Sequence, residues 1–451
     1  MLQISKDYDL ISNKATILKM ISFYRTNIAP IMRKRKEYYL GNQKILDKTY
    51  ADNTLETNNI VTNYCKNITE IYTGYLTTPG NVKYNNIDEQ IKYILDYNDY
   101  KTEDSELLRD TLIYGTGIEL FYIDKDKKIR FDNIPAENSF GVYSADIEKE
   151  LLYFIRYYKI IDWENDYSEK YIVEIYDKMN KYSYETHGFG DLENEVIERH
   201  YFNTVPVVIN YLNEDEENIY DCIITLQDAY NEALSDNIDN YSYFADAYLV
   251  LAGATIPGES DEEKKEYAQE MRKNRIFEIP YDNAKMEFLT KPDIGASIQE
   301  SLKTIKENIY KIAQCPDFSD NEVFGNSSGV ALKYKLCNIE DRAATIEAQL
   351  KKSLIRRMEI IDGFATMLTG YNDWLDVDIE FIRNIPTDVS EVATLVNTLR
   401  GVISNETLLS LIPYIDDVEE ELDKIESQAD IYGDFSKEVG QYSADNDNAE
   451  E

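Results

Sequence analysis

At 451 residues the chain has room for two to four domains, and its 43% hydrophobic content is ample for a packed core. Against 47 basic residues stand 85 acidic ones, a net charge of −38, which excludes a basic surface that grips nucleic acid regardless of sequence. Four scattered cysteines (Cys65, Cys222, Cys315, Cys337) without C-x-x-C spacing point to a reducing compartment; with no signal-peptide pattern and no apolar run of about 18 residues, neither secretion nor a membrane span is expected.

In chain order, Ile17, Leu18, Ile21 and Phe23 predict a helix over about 14–27, and Pro30 starts a second one holding the basic cluster Arg33 to Lys36. That cluster reads as a solvated helix face rather than a binding patch. Ile60, Tyr64, Ile68, Ile71 and Tyr75 predict a helix over 59–76, stopped by Pro79 and Gly80, and two more follow at 88–97 and 103–114. From Gly115 the period turns to alternation, with strands at 118–123, 129–132, 151–160, 171–176 and 181–186. Helices followed by meandering strands make this half an α+β domain.

After Pro206 to Ile209 and an acidic loop, a helix is predicted from about 221 to 245, with Ile223, Leu226, Tyr230, Leu234, Ile238 and Tyr241 as its stripe. A small α/β insert follows: extended chain at 247–252, a charged helix at 259–273, and strands at 275–279 and 285–289. Helix resumes at Asp293 with Ile294, Ile298, Leu302, Ile305, Ile309 and Ile312 in phase, up to Cys315 and Pro316. A loop rich in turn residues, 315–329, feeds one long amphipathic helix over about 330–368, which at 1.5 Å per residue is roughly 55 to 60 Å long. Its stripe is Leu332, Leu336, Ile339, Ala343, Ile346, Leu350, Leu354, Ile361, Phe364 and Leu368, with Ser327 or Ser328 as N-cap. Two stalk helices carrying a compact tip bury little within one chain, so self-association is expected. Beyond Gly370 come a strand at 377–382 and short helices capped by Thr387 or Asp388, Ser404 and Asp416, with Gly401 ending the first; the acidic tail from about 428 carries no stripe.

Chemistry finds little support. His187 and His200 lack a third ligand or carboxylate partner, and the pair Gly115 and Gly117 leads into a strand, unlike a dinucleotide fingerprint. Gly325 to Val330 could cradle a phosphate at a helix N-terminus but lacks the P-loop lysine, so capping suffices. Acidic runs such as Asp416-Asp417 and Glu419 to Glu421 read as solvated faces. No catalytic residue, metal site or cofactor is assigned.

The order and spacing of several motifs resemble the portal proteins of tailed bacteriophages, of the siphophage and myophage type that infects Gram-positive hosts. The motifs are Tyr38-Tyr-Leu-Gly41, Asn58 to Tyr64 with Tyr75 to Pro79, Tyr114-Gly-Thr-Gly117 and Leu226-Gln-Asp-Ala-Tyr230. They continue through Phe244 to Leu251, Phe324 to Lys333, Asn384-Ile-Pro386 and Leu399 to Ser404. The resemblance implies an α+β ring oligomer, usually of twelve subunits, at one capsid vertex. It implies a wing over 1–220 with the strand 377–382, a stem helix at 221–246, a clip at 247–292 and a second stem helix at 293–314. It further implies a tunnel loop at 315–329, a long wing helix at 330–369, a wing strand and linker at 370–386 and a helical crown at 387–427; the tail 428–451 has no counterpart.

The implied partners are double-stranded DNA in transit, the terminase large subunit and later the head-tail adaptor at the clip, and the major capsid and scaffolding proteins at the wing. The implied location is the virion, after assembly in the host cytoplasm. Clip candidates are Glu262, Glu263, Lys264, Glu266, Arg272 and Lys273; bore-lining candidates are Phe318, Asn321, Phe324, Asn326, Ser327 and Ser328. Duplex DNA carries one charge per about 1.7 Å of axis, so a ring of acidic chains would repel it and keep the bore slippery. On the long helix Lys333, Lys335, Arg342, Lys351, Lys352, Arg356 and Arg357 outnumber Glu340, Asp341, Glu347, Glu359 and Asp362. Lys333 and Lys335 are the candidate phosphate contacts, with ion pairs between subunits as the competing use. Two other readings stay open: a non-portal virion structural or adaptor protein, and an acidic metal-dependent enzyme.

Overall fold

The computed structural model describes residues 2–49, 57–78, 80–162, 168–244, 248–252, 259–274, 285–289, 295–319, 329–369, 374–383, 389–412, 415, 418, 421–425 and 427. The chain divides into two units, one of residues 1–316 with 338–382 and one of residues 317–337 with 383–451.

The first unit starts with β1 (Leu2–Ile4), a strand that no alternation announced. Asn13 then caps α1 (Lys14–Phe23), accepting the N–H of Thr16, and a π-helical turn at Tyr24–Ile28 carries the helix into α2 (Ala29–Leu40). The turn is the place where the helical ladder loosens, and Pro30 sits just beyond it in the first turn of α2, where a missing N–H costs least.

The helix expected over 59–76 begins late. Asn63 accepts the N–H of Lys66, so α3 spans Tyr64–Thr77, and its buried face is Cys65, Ile68, Thr69, Tyr72, Thr73 and Leu76 rather than the stripe through Ile71 and Tyr75. Strand β2 (Val82–Asn85) and helices α4 (Glu89–Tyr97) and α5 (Tyr100–Tyr114) follow, α4 capped by Asp88. The next strands are β3 (Thr116–Ile123), β4 (Ile129–Asn133), β5 (Ser139–Ser144), β6 (Leu151–Asp162), β7 (Ser168–Tyr176), β8 (Asn180–Thr186), β9 (Glu193–Arg199) and β10 (Val207–Tyr211).

Six strands form one sheet in the order β1-β5-β6-β7-β8-β9, antiparallel except that β1 runs parallel to β5; three more form β10-β3-β4. Leu10, Ile17, Ile21 and Tyr24 from the N-terminal segment and Phe140, Val142, Phe154, Ile155, Val173 and Ile175 from the sheet share one core. The Gly115 and Gly117 pair is explained by backbone geometry. Gly115 ends α5 at φ +84° with the Glu216 carbonyl 2.3 Å from where a Cβ would stand, and at Gly117 a Cβ would meet Leu107 O at 2.5 Å.

Helix α6 (Ile224–Phe244) leaves this body, and β11 (Tyr248–Ala252), α7 (Asp261–Asn274) and β12 (Lys285–Leu289) make the small insert, with β11 and β12 antiparallel. The strand expected at 275–279 lies outside the described residues. Helix α8 (Gly295–Ile312) returns and packs on α6. The long helix, α9 (Gly329–Thr369), is 41 residues long, and Ile339, Ala343, Ile346, Leu350, Leu354, Met358 and Ile361 are buried along it, close to the expected stripe. Strand β13 (Asp378–Phe381) then pairs with β2, far earlier in the chain.

In the second unit, α10 (Val389–Leu399) is followed by Gly401 at φ +84°, and Ser404 caps α11 (Asn405–Ser410) by accepting the Thr407 N–H at 3.2 Å. The expected caps Thr387, Asp388 and Asp416 and the tail 428–451 lie outside the described residues.

One buried cation fixes α9 to β2, α5 and β3. Arg357 is fully buried and donates from Nε and Nη2 to the two oxygens of Glu119 on β3, at 3.0 and 2.8 Å. Its Nη1 donates to Asp104 on α5 and to the hydroxyl of Tyr84 on β2, the latter at 2.9 Å, and the guanidinium lies 4.8 Å from the Phe131 ring centroid. Burial raises the pKa of both carboxyls while the Arg357 charge opposes that rise. Beside them burial, then Asp132, pushes Glu103 up to about 7.

Replacing Arg357 by Met strands two buried carboxyls and should cost on the order of 3–5 kcal/mol, seen as a large fall in the thermal or denaturant midpoint. Glu103, raised above its ordinary 4.5, favours the fold fully below that value, and the contribution is lost as pH rises through about 7. Glu103→Gln should therefore flatten the fall in thermal midpoint between pH 4.5 and 7, checked by melting both proteins across that range.

Candidate functional site: the helix roots and the strap

Helices α6 and α8 are held at their roots by donors aimed at backbone carbonyls. Asn218 starts the root of α6: its Oδ1 accepts the N–H groups of Tyr220 and Asp221 at 3.0 and 2.5 Å, and its Nδ2 donates to Ile113 O at 3.0 Å. A single 3₁₀ turn, Asp221–Ile223, with Ile223 buried, then leads into α6. Arg35 clamps this turn. Its Nη1 donates to Tyr114 O and Glu216 O at 2.5 and 2.8 Å and its Nη2 to Asp221 at 2.5 Å, while Tyr220 OH donates to Arg35 O at 2.8 Å. The basic cluster at 33–36 is thus partly an internal clamp, with Lys36 also 3.8 Å from Glu137.

At the other root, Ile309 and Ala313 of the returning chain are fully buried, and Gln314 at φ +53° turns the backbone so that Cys315 N donates to Tyr310 O at 3.0 Å. Tyr72 OH lies 3.1 Å from Ala313 O and 3.0 Å from Gln314 O. Arg342 of the long helix joins both roots, donating from Nη1 to Ala313 O at 3.1 Å and from Nη2 to Ile219 O at 3.2 Å, with its guanidinium 5.8 Å from the Tyr72 ring. Burial raises the Tyr72 phenol, so it stays a donor at any ordinary pH. Such charged donors to carbonyls are each worth about 1.5–3 kcal/mol.

Beyond the root, the buried face of α6 is not its apolar stripe. Gln227, Asn231, Ser235 and Asp239 are buried, whereas Leu226, Tyr230, Leu234 and Ile238 are only half-buried. The polar residues recur every four positions and receive an extended strap, residues 58–64. Tyr64 N donates to Gln227 at 3.0 Å, Thr62 N to Asn231 at 3.0 Å, Ile60 N to Ser235 at 3.0 Å and Asn58 N to Asp239 at 2.8 Å. The match is geometric: four helical residues advance about 6.0 Å, and two extended residues advance about 6.6 Å. Gln227 Nε2 also donates back to Thr62 O at 2.5 Å, Asn231 Nδ2 to Gln43 at 2.6 Å, and the Tyr64 and Tyr230 rings meet edge to face at 5.2 Å.

These contacts correct the predicted α6 stripe and explain the late start of α3. The α6 side chains take the N–H groups of Asn58, Ile60, Thr62 and Tyr64 along the strap, so the chain ahead of Asn63 has its donors satisfied without turning into helix. The signal was present in the sequence as Gln, Asn, Ser and Asp at steps of four. Arg342, Tyr72 and Arg35 had no local signal, because their partners lie far along the chain.

Of the residues singled out from sequence, Glu262, Glu263, Lys264, Glu266, Arg272 and Lys273 all fall on α7. Glu262 and Glu266 are exposed. Glu263 helps to cap the helix, accepting Glu259 N–H at 2.8 Å while Ser260 Oγ accepts Glu263 N–H at 3.2 Å. Phe318 is 51% exposed; Asn321, Phe324, Asn326, Ser327 and Ser328 lie outside the described residues. Lys333 and Lys335 sit on the first turns of α9. His200 is held by its Nε2 against Asp177 O at 2.9 Å, and burial lowers its pKa. Cys65 and Cys315 are buried and Cys222 and Cys337 exposed, all four as free thiols. Among the described residues no group of three or more His, Cys, Asp or Glu is arranged to hold a metal ion, and no helix is long and apolar enough to cross a membrane.

Residues 24–431 match the profile of phage portal proteins of the SPP1 Gp6-like type, a stretch that includes the strap, both roots, the insert and the long helix. The chain belongs to this portal family. It is 25% identical to the portal protein of Bacillus phage SPP1 over 466 aligned positions, covering 97% of this chain and 88% of that one. It is 23% identical to the portal protein of Clostridium phage phiCD119 over 359 positions, covering 74% of this chain and 76% of that one.

In this portal chain Arg342→Ala should leave the six-stranded sheet and its core folded and loosen both roots together, increasing proteolysis near residues 219 and 313 in limited digestion. Arg342→Lys, able to reach only one carbonyl well, should fall between the two.

Proposed function

We propose that copies of this chain form a ring, of twelve subunits by family analogy, at one vertex of a phage capsid, and that double-stranded DNA is packaged and later ejected through its axial channel. The observation that carries this reading is the portal-family match from residue 24 to residue 431, which takes in every element from α2 to α11. In this role the chain is structural and has no catalytic residue, cofactor or metal. Its place is the virion, after assembly in the host cytoplasm.

Within the ring, residues 1–220 with the strand 377–382 serve as wing, 221–246 and 293–314 as stem, and 247–292 as clip. Residues 315–329 serve as tunnel loop, 330–369 as long wing helix, 370–386 as wing strand and linker, and 387–427 as crown. The half-buried Leu226, Tyr230, Leu234 and Ile238 of α6 support association, since a neighbouring stem is a natural cover for them. A net charge of −38 per subunit supports a bore that DNA slides through rather than adheres to.

The exposed acids of α7, Glu262 and Glu266, offer a charged docking face for the terminase large subunit and then the head-tail adaptor, and Glu263, Lys264, Arg272 and Lys273 of the same helix are assigned to the same role. The wing is assigned to the major capsid and scaffolding proteins. Phe318, Asn321, Phe324, Asn326, Ser327 and Ser328 are assigned to the bore, and Lys333 and Lys335 to brief phosphate contact.

Purified protein should appear as a single large annulus with an axial hole in negative-stain images and as one ring-sized species by light scattering; a persistent monomer, or an assembly without a hole, contradicts the reading. Deleting Asp317 to Asn326 should leave rings intact while impairing DNA packaging or retention, and normal packaging by that variant removes the loop from the gate role.

A further inference from the structure

We propose that the hairpin joining β3 to β4 in one copy of this chain seats on the acidic loop 213–217 of a second copy. The contact rests on the ring reading and identifies one pair of surfaces on which neighbouring copies meet.

The hairpin side carries a preformed ladder of cations and aromatic rings. Lys128 Nζ donates to the Tyr93 hydroxyl at 3.0 Å and lies 4.0 Å from the Tyr97 ring centroid. The Arg130 guanidinium lies 4.9 Å from the same ring, and its Nη1 donates to Tyr97 O at 3.0 Å. The Tyr93 and Tyr97 rings stack at 6.0 Å, and the Asp124 carboxylate is used inside the turn, accepting the N–H groups of Asp126 and Lys128 at 2.9 Å each. Tyr93 is nonetheless 56% exposed, and Tyr122, opposite Arg130 in the strand pair, is 42% exposed. Tyrosine and arginine side chains already held in one arrangement lose little freedom when a partner covers them, which is what a protein contact surface needs.

Charge identifies the partner. In a chain with 85 acidic and 47 basic residues, Lys125, Lys127, Lys128 and Arg130 have no carboxylate within ion-pair distance among the described residues, although α4 beside them carries the exposed acids Glu89 and Asp96. Acids of the six-stranded sheet and its turns are matched internally: Glu150 with Lys6 and Lys178, Glu185 with Lys170, Glu195 with Lys14, Glu198 with Lys181. The loop 213–217 differs. Glu214, Asp215 and Glu217 are exposed and have no cation partner among the described residues. The loop is also held in shape: Asn213 accepts the Glu216 N–H at its backbone oxygen and the Glu217 N–H at Oδ1, at 3.3 and 3.0 Å, while Arg35 donates to Glu216 O at 2.8 Å.

Position then decides that the contact is between copies. Strand β10 runs antiparallel to β3 with Tyr211 opposite Thr116, so the acidic loop leaves from one end of β3 and the hairpin from the other. Because β3 is eight residues long, the two surfaces stand roughly 23 Å apart in one chain. Unlike, complementary surfaces at opposite ends of one strand are suited to a head-to-tail contact, which repeats from copy to copy and closes into a ring.

The test is carbodiimide coupling of the full-length assembled protein, which joins touching lysine and carboxylate groups without a spacer, followed by digestion and mass spectrometry. Lys125, Lys127 or Lys128 should be found joined to Glu214, Asp215 or Glu217, a link that the distance within one chain forbids. Lys125→Glu with Lys127→Glu, both exposed, should raise the protein concentration needed for rings by about tenfold or more, and adding Glu214→Lys, Asp215→Lys and Glu217→Lys to that chain should restore assembly. Rings in which the hairpin lysines couple only to other carboxylates, or to none, overturn the proposal, as does a folded five-substitution chain that fails to assemble. Either result leaves the portal reading standing, whereas that reading fails if the unmodified protein forms no ring.

Discussion

The placement of the long helix depends on a single buried guanidinium. Arg357 meets side chains from β2, α5 and β3, three elements that share no local sequence, and it does so with no exposure to solvent. A buried cation costs several kcal/mol in lost hydration unless its donors are filled, so the geometry of Glu119, Asp104 and Tyr84 is strongly specified once Arg357 is inside. β2 in turn pairs with β13, which follows the far end of the same helix in the chain. The helix is thereby a fixed strut from which other parts can be positioned.

Arg342, about four turns earlier, uses that strut. It holds the entry of α6 and the exit of α8 by their backbone carbonyls, so both roots share one origin. Carbonyl acceptors make the position of the roots independent of which side chains the two helices carry. Farther along, α6 can then present half-buried apolar groups and a polar strap face without disturbing its own attachment.

The basic surplus on the long helix also takes on a different meaning in three dimensions. Arg342 and Arg357 are internal ties, Arg356 donates to Thr204 at 2.6 Å and pairs with Glu359, and Lys351 pairs with Asp378 at 3.1 Å. Four of the seven cations read from the sequence therefore serve contacts within the chain. The acidic character of the chain as a whole stands undiminished, and with it the physical case against tight adhesion to DNA.

The sequence by itself determined whatever repeats over short distances. The long helix was legible because apolar residues recur along it at three- and four-residue steps, and the small insert because β-branched runs flank a charged helix. The α5 boundary and the Ser404 cap followed from Gly115 and from a serine beside a helical run. The resemblance to portal proteins came from motifs spread across the chain, and the match over residues 24–431 agrees with it. What tertiary structure alone decided are the features whose partners are remote: β1 beside β5, β2 beside β13, Arg357 in its carboxylate nest, Arg342 between two roots. The strap is the sharpest case. Its residues from Ile60 have a helical apolar pattern, yet they stay out of the helix up to Asn63 because α6, far along the chain, offers acceptors for alternate amides at every fourth residue.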